Sequence, residues 1–497
     1  MNESKQRRIN LWTFPIGTIG RDMAYALFTN FFLTYIMFTR TLTAGQLSAI
    51  TTIMVLARIF DALNDPFMGS VIEHTHTKYG KFKPWMVAGV IGSSLVIIAA
   101  FNSSLQGWHF IAFFAVIYFL FSIFFTMHDI SYYGMIAALS SDSDDRNRLT
   151  SRSTLCAGLG VALSSLVIPM FTTGHLALGG NTATAYGRLS VLFCILMPLM
   201  LCFTIFGTRE RREPNGRNTS PISPRRILAT LLGNDQLRWV SGAFLLQQVG
   251  SCLAIMGIGS TYIYFDFGYN GSLYAIFNTI GMVACAALAI GYPSISRRIP
   301  RKAFMGKMIL CIIVFYLAMI FCGLWVDNDT LRFWGVTLFY MLANAGQYSF
   351  YLIMMISIIN TVEYNEYLHG VRDEAIISSL RPFLTKLASA IVVAMTSLTY
   401  ILCGVTQTTN QISSFESAAG AGLITETEKL ASINAAMENV SRSQTNGLLL
   451  CMTLLPLLLM LAAYLLYTRK YHLDETEYTR ICAELQHRNC GDAHPVP

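Results

Sequence analysis

A segment with two aspartates, RIFDALNDPFMG at residues 58–69, lies in one of the most apolar parts of the chain. Asp61 and Asp65 are four residues apart, so a helix places both carboxylates on one face, with Asn64 adjacent and Arg58 one turn back. Two like charges at this spacing repel each other, and a bound cation, a shared proton or a basic partner would offset the repulsion. Carboxylate and amide oxygens suit a hard ion such as Na⁺ better than zinc or copper. The alternative is a structural ion network.

Other ionisable residues also interrupt apolar runs. Arg21 and Asp22 occur in GTIGRDMAYALF, Asp129 occurs in FFTMHDISYYG, and Arg381 and Lys386 occur in SSLRPFLTKLASA. An ionisable side chain at the centre of a bilayer costs roughly 2.5 to 3.5 kcal/mol, so each is a functional candidate. Carboxylates accept hydrogen bonds from hydroxyl groups and arginine donates in a fixed fork, a combination that suits a polyhydroxylated solute.

Two residues flank Asp129 at helical spacing. Thr126 precedes it by nearly one turn, and Tyr133 follows it by four residues on the same face. Aromatic side chains offer a stacking surface for a sugar ring, although ordinary packing is the alternative for each of them. The candidates for stacking are Tyr25, Phe125, Tyr132, Tyr133 and Tyr348.

The composition is that of a membrane protein. Hydrophobic residues make up 54% of the 497 residues and charged residues only 13%, far from the balance of a soluble domain. Runs such as Met86 to Phe101 and Leu448 to Leu466 approach or reach the roughly 20 residues that a helix needs to cross the hydrocarbon. We therefore predict an all-α membrane protein with about twelve transmembrane helices. The eleven cysteines include no CxxC pair and predict neither a disulfide framework nor a metal site.

Basic residues concentrate in alternate connections between the predicted helices. Lysine and arginine occur at 74–84, 140–152, 208–226 and 296–302, whereas SSLQG, FGYNGS and VDNDT between them contain neither. By the positive-inside rule the basic connections and both termini are cytoplasmic. This alternation explains the formal charge of +7 without a nucleic-acid partner. No cleavage-site pattern follows the basic N-terminus, so we expect no cleaved signal peptide.

A long connection divides the chain. Residues 208–235, rich in Arg, Pro, Ser and Asn, are predicted to be a cytoplasmic linker between six-helix bundles at 1–207 and 236–470. Residues 471–497 are predicted to be a cytoplasmic tail. Parallel six-helix repeats indicate a transporter with its substrate site between the halves. Residues 404–445 are predicted to be an extended external loop, a tolerated surface insertion in which TETEKLASINAAMENV forms a short amphipathic helix.

The motifs together are those of a known family. ARIFDALNDPFMG followed by KYGKFKPW, with GRD, MHDI and FLTKLASA, resembles the glycoside-pentoside-hexuronide:cation symporters of the major facilitator superfamily over nearly the whole chain. The resemblance implies a coupling-cation site at Asp61 and Asp65, with Asn64 and Thr126 as neighbouring oxygen donors. It implies sugar-binding roles for Arg21, Asp22, Asp129, Tyr133, Arg152 and Lys386, and a second role for Lys386 in coupling the halves.

Four positions depart from the best-known member of the family. Arg21 stands in place of lysine, Tyr133 in place of tryptophan, and Arg381-Pro382 in place of glutamine-threonine. The aromatic exchange retains a stacking face but changes the pocket width. Arg381 adds a hydrogen-bond donor to the predicted substrate site, which leaves both an anionic hexuronide and a neutral glycoside as candidate solutes.

The predicted function is secondary active transport without enzymatic chemistry or a cofactor. A sugar would be carried with Na⁺ or H⁺ by alternating access, by a monomer in a plasma membrane such as a bacterial inner membrane. One alternative is an amphiphilic, lipid-like solute on the same fold, which the charged inner faces disfavour. Another is a membrane transferase that holds Mg²⁺ and a diphosphate at the DxxxD spacing, for which the acidic set is too small. A third alternative is a sensor that binds solute without moving it, but we expect no fused signalling domain in this chain.

Overall fold

The computed structural model describes residues 3–73, 75, 77–139, 143–208, 224–296, 298–370 and 373–491. Within these ranges the regular structure is helical, with no strand. The first seven helices are α1 (Glu3–Asn30), α2 (Phe32–Thr39), α3 (Ala44–Glu73), α4 (Lys83–Phe101), α5 (Gly107–Leu139), α6 (Ser143–Thr172) and α7 (Thr182–Gly207). The remaining helices are α8 (Pro224–Gly233), α9 (Asp235–Cys252), α10 (Gly259–Phe267), α11 (Gly271–Ser296), α12 (Arg301–Trp325), α13 (Asp329–His369), α14 (Glu374–Leu402), α15 (Val405–Gly420), α16 (Glu426–Glu438), α17 (Arg442–Lys470) and α18 (Glu475–Gly491).

Among the described residues, twelve helical segments contain 18 residues or more, enough to span a membrane. In the described part of the chain, nine helices are both long and apolar enough to cross a bilayer, namely α4 to α7, α11 to α14, and α17. Helices α1 and α3 have 28 and 30 residues but carry the charged residues singled out above. The twelfth segment joins α9 to α10 through the π-helical turn Ala254–Ile258. The prediction of an all-α membrane protein is confirmed.

The helices group into two compact units. The first comprises Met1–Pro221, Ile255–Thr279 and Val393–Leu448, and the second comprises Ile222–Ala254, Ile280–Val392 and Leu449–Pro497. The boundaries of these units therefore fall within α11, α14 and α17. Of the predicted linker, residues 209–223 lie outside the described residues, while 224–233 form α8.

Small residues set the depth of α1 in the first unit. A methyl group on Gly20 would lie 2.8 Å from the carbonyl oxygen of Leu196 on α7. A methyl group on Gly160 of α6 would lie 2.5 Å from the carbonyl oxygen of Ile19. Because a carbon atom cannot approach backbone so closely, only glycine allows these helices to pack at this distance. The close packing fixes the position of the residue that follows Gly20, which is Arg21.

Residues 404–445, predicted to be an extended loop, instead form a helical hairpin of α15 and α16. The predicted amphipathic segment forms α16, which begins with a capping box between Thr425 and Glu428. The hairpin contains an ion pair of 3.5 Å between Glu416 and Lys429, whose side chains are 1% and 0% exposed. Glu416 also accepts hydrogen bonds from the backbone nitrogen and hydroxyl group of Thr182, at 2.8 and 2.9 Å. A hairpin with buried charges is part of the packed first unit.

Candidate functional site

The acidic pair on α3 faces two hydroxyl groups on α5. Ser122 donates a hydrogen bond to Asp61, and the Thr126 hydroxyl donates to Asp65 Oδ1 at 3.2 Å. Ser122 and Thr126 are four residues apart, as are the aspartates, so the two helices present matching rows of oxygen atoms. Thr126 was predicted from the sequence, whereas Ser122 was missed. Its signal was its position four residues before Thr126, on the same helical face.

Arg58 belongs to the same group of side chains. Its guanidinium lies 3.5 Å from Asp61 Oδ2, with both side chains buried, and it lies over the Tyr118 ring at 5.9 Å. Asn64 is also buried, and its amide nitrogen has no hydrogen-bond partner among the described residues. The Arg58–Asp61 contact is the ion pair that a structural network requires. The cation-binding role of Asp61, Asn64, Asp65 and Thr126 stays a prediction.

The chemistry of this row favours a hard ion. Carboxylate and hydroxyl oxygens are the ligands that Na⁺ and similar cations prefer. Among the described residues, no group of three or more His, Cys, Asp or Glu side chains is placed to hold a metal ion. The site therefore combines the carboxylates of Asp61 and Asp65 with the hydroxyl oxygens of Ser122 and Thr126.

A second cluster forms around Arg21 on α1. Its guanidinium contacts Asp22 Oδ2 at 2.8 Å and Asp129 Oδ1 at 2.9 Å, and it donates to the Tyr133 hydroxyl at 3.3 Å. The rings of Tyr132 and Tyr133 each lie 5.2 Å from the guanidinium carbon. These contacts bring together four residues that the sequence predicted to bind substrate, Arg21, Asp22, Asp129 and Tyr133.

Exposure differs sharply within this second cluster. The Arg21 side chain is 3% exposed and that of Asp22 is 11% exposed, whereas that of Asp129 is 40% exposed. Tyr133 is 41% exposed. Charge-assisted hydrogen bonds hold the buried arginine in one orientation. The exposed Asp129 carboxylate can therefore accept hydrogen bonds from a hydroxylated solute, and the Tyr133 hydroxyl can donate one, while Arg21 stays in place.

Arg152, predicted to bind substrate, lies elsewhere in the first unit. Its guanidinium donates to the carbonyl oxygen of Leu11 at 3.0 Å and lies 4.6 Å from the centre of the Trp12 ring. Leu11 precedes Arg21 by ten residues, which is about 15 Å along a helix. The structure therefore separates Arg152 from the Arg21 cluster, since its guanidinium is held at an earlier turn of α1.

The predicted cations of α14 lie in the second unit. Arg381 is exposed and donates a hydrogen bond to the Tyr351 hydroxyl at 2.8 Å. Lys386 is half-buried. Its substrate-binding and coupling roles remain predictions, as does the substrate-binding role of Arg381.

The second unit also contains a cavity of about 170 Å³ between α9 and α13. Of its lining residues, only Tyr348 was predicted from the sequence, as a candidate for stacking. The sequence signal for Gln247 and Gln248 was their position as a polar pair in the apolar run GAFLLQQVGS. The cavity is lined by Gln247, Gln248, Ser251, Asn344, Tyr348 and Tyr351.

The fold and the charged clusters are those of a multi-spanning membrane protein. Residues 14–475 match the family described as MFS/sugar transport protein. The chain belongs to this family, which confirms the resemblance to the glycoside-pentoside-hexuronide symporters and the major facilitator fold. Membership of a transporter family also sets aside the membrane-transferase alternative.

Several relatives are similar over much of the chain. A lactose permease of Lactobacillus helveticus is 27% identical over 81% of this chain and 64% of its own length. The raffinose carrier protein of Pediococcus pentosaceus is 25% identical over 95% of this chain and 70% of its own length. The inner membrane symporter YicJ of Escherichia coli (strain K12) is 29% identical over 50% and 52%. The chain thus spans less than two thirds of the length of the Lactobacillus helveticus protein.

Solved structures share the fold at low sequence identity. A bacterial homolog of the human lysosomal transporter Spinster superposes with a TM-score of 0.58 at 12% identity, over 94% of this chain and 96% of that chain. The nucleoside transporter NupG superposes with a TM-score of 0.56 at 13% identity, over 93% and 100%. At this identity the likeness concerns the fold alone.

Proposed function

We propose that the protein is a secondary active transporter that moves a sugar or glycoside together with Na⁺ or H⁺ by alternating access. The observation that carries the proposal is the Arg21 cluster, in which a buried arginine holds Asp129 beside an exposed tyrosine. Carboxylates and a phenol in this arrangement match the hydroxyl groups and ring face of a sugar. The names of the relatives, for lactose, raffinose and symport, support the same substrate class and ion coupling.

Helix α5 provides the physical link between the ion and the sugar in this proposal. It carries Thr126, which contacts Asp65, and Asp129, which contacts Arg21. Asp129 is three positions after Thr126, a rise of about 4.5 Å along the helix. A cation or proton bound at Asp61 and Asp65 lowers the negative charge beside Asp129. The same event thereby changes the electrostatic environment of the sugar-binding carboxylate.

The membrane potential supplies the driving force. Moving one positive charge across 100 mV is worth about 2.3 kcal/mol. At about 1.4 kcal/mol per factor of ten, one-to-one coupling supports roughly a fiftyfold solute gradient.

We place the protein in a plasma membrane, such as a bacterial inner membrane, with both termini cytoplasmic, and propose that it functions as a monomer. Arg381 accommodates either a hexuronide or a neutral glycoside, since its guanidinium bonds carboxylates and hydroxyls alike.

Uptake by the purified protein in liposomes tests the proposal. Radiolabelled lactose, methyl xyloside and methyl glucuronide are each offered with and without a Na⁺ gradient, at pH 6 and pH 8. We expect one class to accumulate above the external concentration in response to Na⁺ or to a proton gradient. Accumulation that neither gradient changes would overturn the coupling, and failure of every sugar to enter would overturn the substrate class.

A further inference from the structure

The hairpin of α15 and α16 lies between α14 and α17 in the chain but contacts elements near its beginning. Asn410 on α15 joins the hairpin to Leu42, which follows α2. The Asn410 side chain accepts a hydrogen bond from the Leu42 nitrogen at 2.8 Å and donates one to the Leu42 carbonyl oxygen at 2.8 Å. One amide thereby pairs with both backbone groups of a residue 368 positions away.

The charged pair of the hairpin contacts the start of α7. Glu416 accepts hydrogen bonds from the Thr182 backbone nitrogen at 2.8 Å and from its hydroxyl at 2.9 Å. Thr182 is the first residue of α7, and a carboxylate is stabilised at a helix N-terminus. Lys429 of α16 pairs with Glu416 at 3.5 Å and donates to the carbonyl oxygen of Gly180. Both charges are therefore held against the connection that leads into α7.

These contacts can break without leaving a buried charge unpaired. Glu416 and Lys429 belong to the same hairpin, so their ion pair would move with it. A buried charge that loses its partner is costly, whereas a pair that reaches water together is hydrated. The hydrogen bonds to Leu42, Gly180 and Thr182 would be exchanged for bonds to water, at a small net cost. The contacts are therefore of a kind that can form and break reversibly.

The two ends of the hairpin meet at its base. Gly404, which precedes α15, has a φ of 65°, in the left-handed region that favours glycine. Its carbonyl oxygen accepts a hydrogen bond from the Gln444 side chain on α17 at 3.0 Å. Hinges in proteins are a few residues in loops or at helix ends. The base therefore gives the hairpin one narrow attachment about which it can rotate.

We propose that the hairpin is an external latch, which must leave α2 and α7 before a solute can enter from outside. In alternating access, two halves of a transporter separate on one side of the membrane and then on the other. The hairpin is part of the predicted second half, 236–470, yet it docks on the first. Separation on the external side therefore breaks the contacts of Asn410, Glu416 and Lys429 with α2 and α7. The inference rests on the proposed alternating access and gives residues 404–445 a role in it.

Cysteine labelling in intact cells that express the protein tests the latch. Ser413 lies between Asn410 and Glu416 on one face of α15 and is 0% exposed, whereas Ser414 is exposed. A membrane-impermeant maleimide should label Ser413→Cys slowly and Ser414→Cys rapidly, each measured above the labelling of the unmodified protein. Adding Asn410→Ala should speed the labelling of Ser413→Cys about tenfold, a change of about 1.4 kcal/mol in the docking equilibrium. The labelling of Ser414→Cys should not change.

Asn439→Ala is the matched control. Asn439 belongs to the same hairpin, but its side chain donates to the carbonyl oxygen of Ala435 on its own helix at 2.9 Å. This variant should leave the labelling of Ser413→Cys unchanged. If Asn410→Ala does not fold, Asn410→Asp retains the acceptor for the Leu42 nitrogen but loses the donor to the Leu42 carbonyl oxygen. It should speed the labelling in the same direction.

The attached label also tests whether the hairpin must dock again in each transport cycle. A maleimide on Ser413→Cys occupies the docking face and should hold the hairpin away from α2. Because a gate that cannot close limits turnover, sugar uptake should fall about tenfold or more. The same label on Ser414→Cys lies on an exposed face and should leave uptake unchanged.

The outcomes separate the inference from the proposed function. Labelling of Ser413→Cys that neither Asn410 variant accelerates would overturn the latch, as would full uptake by the labelled Ser413→Cys variant. In either case sugar uptake by the unmodified protein, and with it the proposed function, would stand. An unmodified protein that takes up no sugar would overturn both.

Discussion

Arg21 on α1 and Asp129 on α5 form an ion pair of 2.9 Å in which the arginine is buried and the aspartate is two fifths exposed. The buried partner is held from several sides, since Asp22 and Tyr133 also contact its guanidinium. A solute can therefore approach Asp129 without displacing Arg21. This asymmetry makes the Asp129 carboxylate the part of the cluster best placed to accept hydrogen bonds from the proposed sugar.

Asp129→Asn should reduce sugar binding more than it reduces stability. The substitution removes the charge that strengthens hydrogen bonds to sugar hydroxyls, but Arg21 retains Asp22. We expect a loss of about 1.5 to 3 kcal/mol in binding free energy, or roughly ten- to hundredfold in Kd. Titration calorimetry of the purified protein measures it. Asp327→Asn, an exposed aspartate between α12 and α13, is the control. Equal Kd values for both variants would contradict the assignment.

The two aspartates of α3 should respond differently to the same substitution. Asp65→Asn should abolish stimulation of uptake by Na⁺ or protons with little loss of stability, because Asp65 is half-buried. Asp61→Asn should also destabilise the protein, since the buried guanidinium of Arg58 then loses its charged partner. Removing one member of a buried pair costs about 3 to 5 kcal/mol. Thermal unfolding in detergent and uptake in liposomes separate the two effects. Identical melting temperatures would argue against a structural role for the Arg58–Asp61 pair.

Ser122→Ala should weaken cation dependence through its contact with Asp61. A lost hydrogen bond of about 1 kcal/mol corresponds to roughly a fivefold higher cation concentration for half-maximal uptake. Ser93→Ala is a matched control, because Ser93 is equally buried and donates to the Gly89 carbonyl of its own helix. The measurement is sugar uptake as a function of Na⁺ concentration and of pH. A shift of the same size in both variants would remove Ser122 from the cation site.

The Glu416–Lys429 pair should contribute to the stability of the first unit. Either Glu416→Gln or Lys429→Met leaves one buried charge without its opposite and should cost about 3 to 5 kcal/mol of unfolding free energy. The double substitution should recover part of this loss, because no unpaired charge then remains.

Arg480→Met provides the comparison for that pair. Arg480 is half-exposed and pairs with Glu477 and Glu484 on α18. Exposed ion pairs contribute little to stability, so this variant should unfold close to the unmodified protein. Denaturation followed by circular dichroism measures all four variants. Single α15–α16 variants as stable as Arg480→Met would show that the buried pair adds nothing.

Local spacing and composition alone determined much of the structure of this protein. The apolar runs predicted the membrane helices, and the four-residue spacing placed Asp61 and Asp65 on one face of α3. These properties depend only on the pitch of a helix and the cost of burying charge in hydrocarbon. The motifs likewise identified the family and most members of the Arg21 cluster.

Contacts between helices were decided by the tertiary structure alone. The rotation and depth of each helix follow from close packing, as at Gly20, and no local pattern encodes them. This is why the sequence did not reveal that Ser122 meets Asp61 or that Arg152 is held at Leu11. For the same reason, the sequence predicted an extended external loop at residues 404–445. Glu416 and Lys429 are charged in the sequence, and only their pairing in the folded chain allows both to be buried.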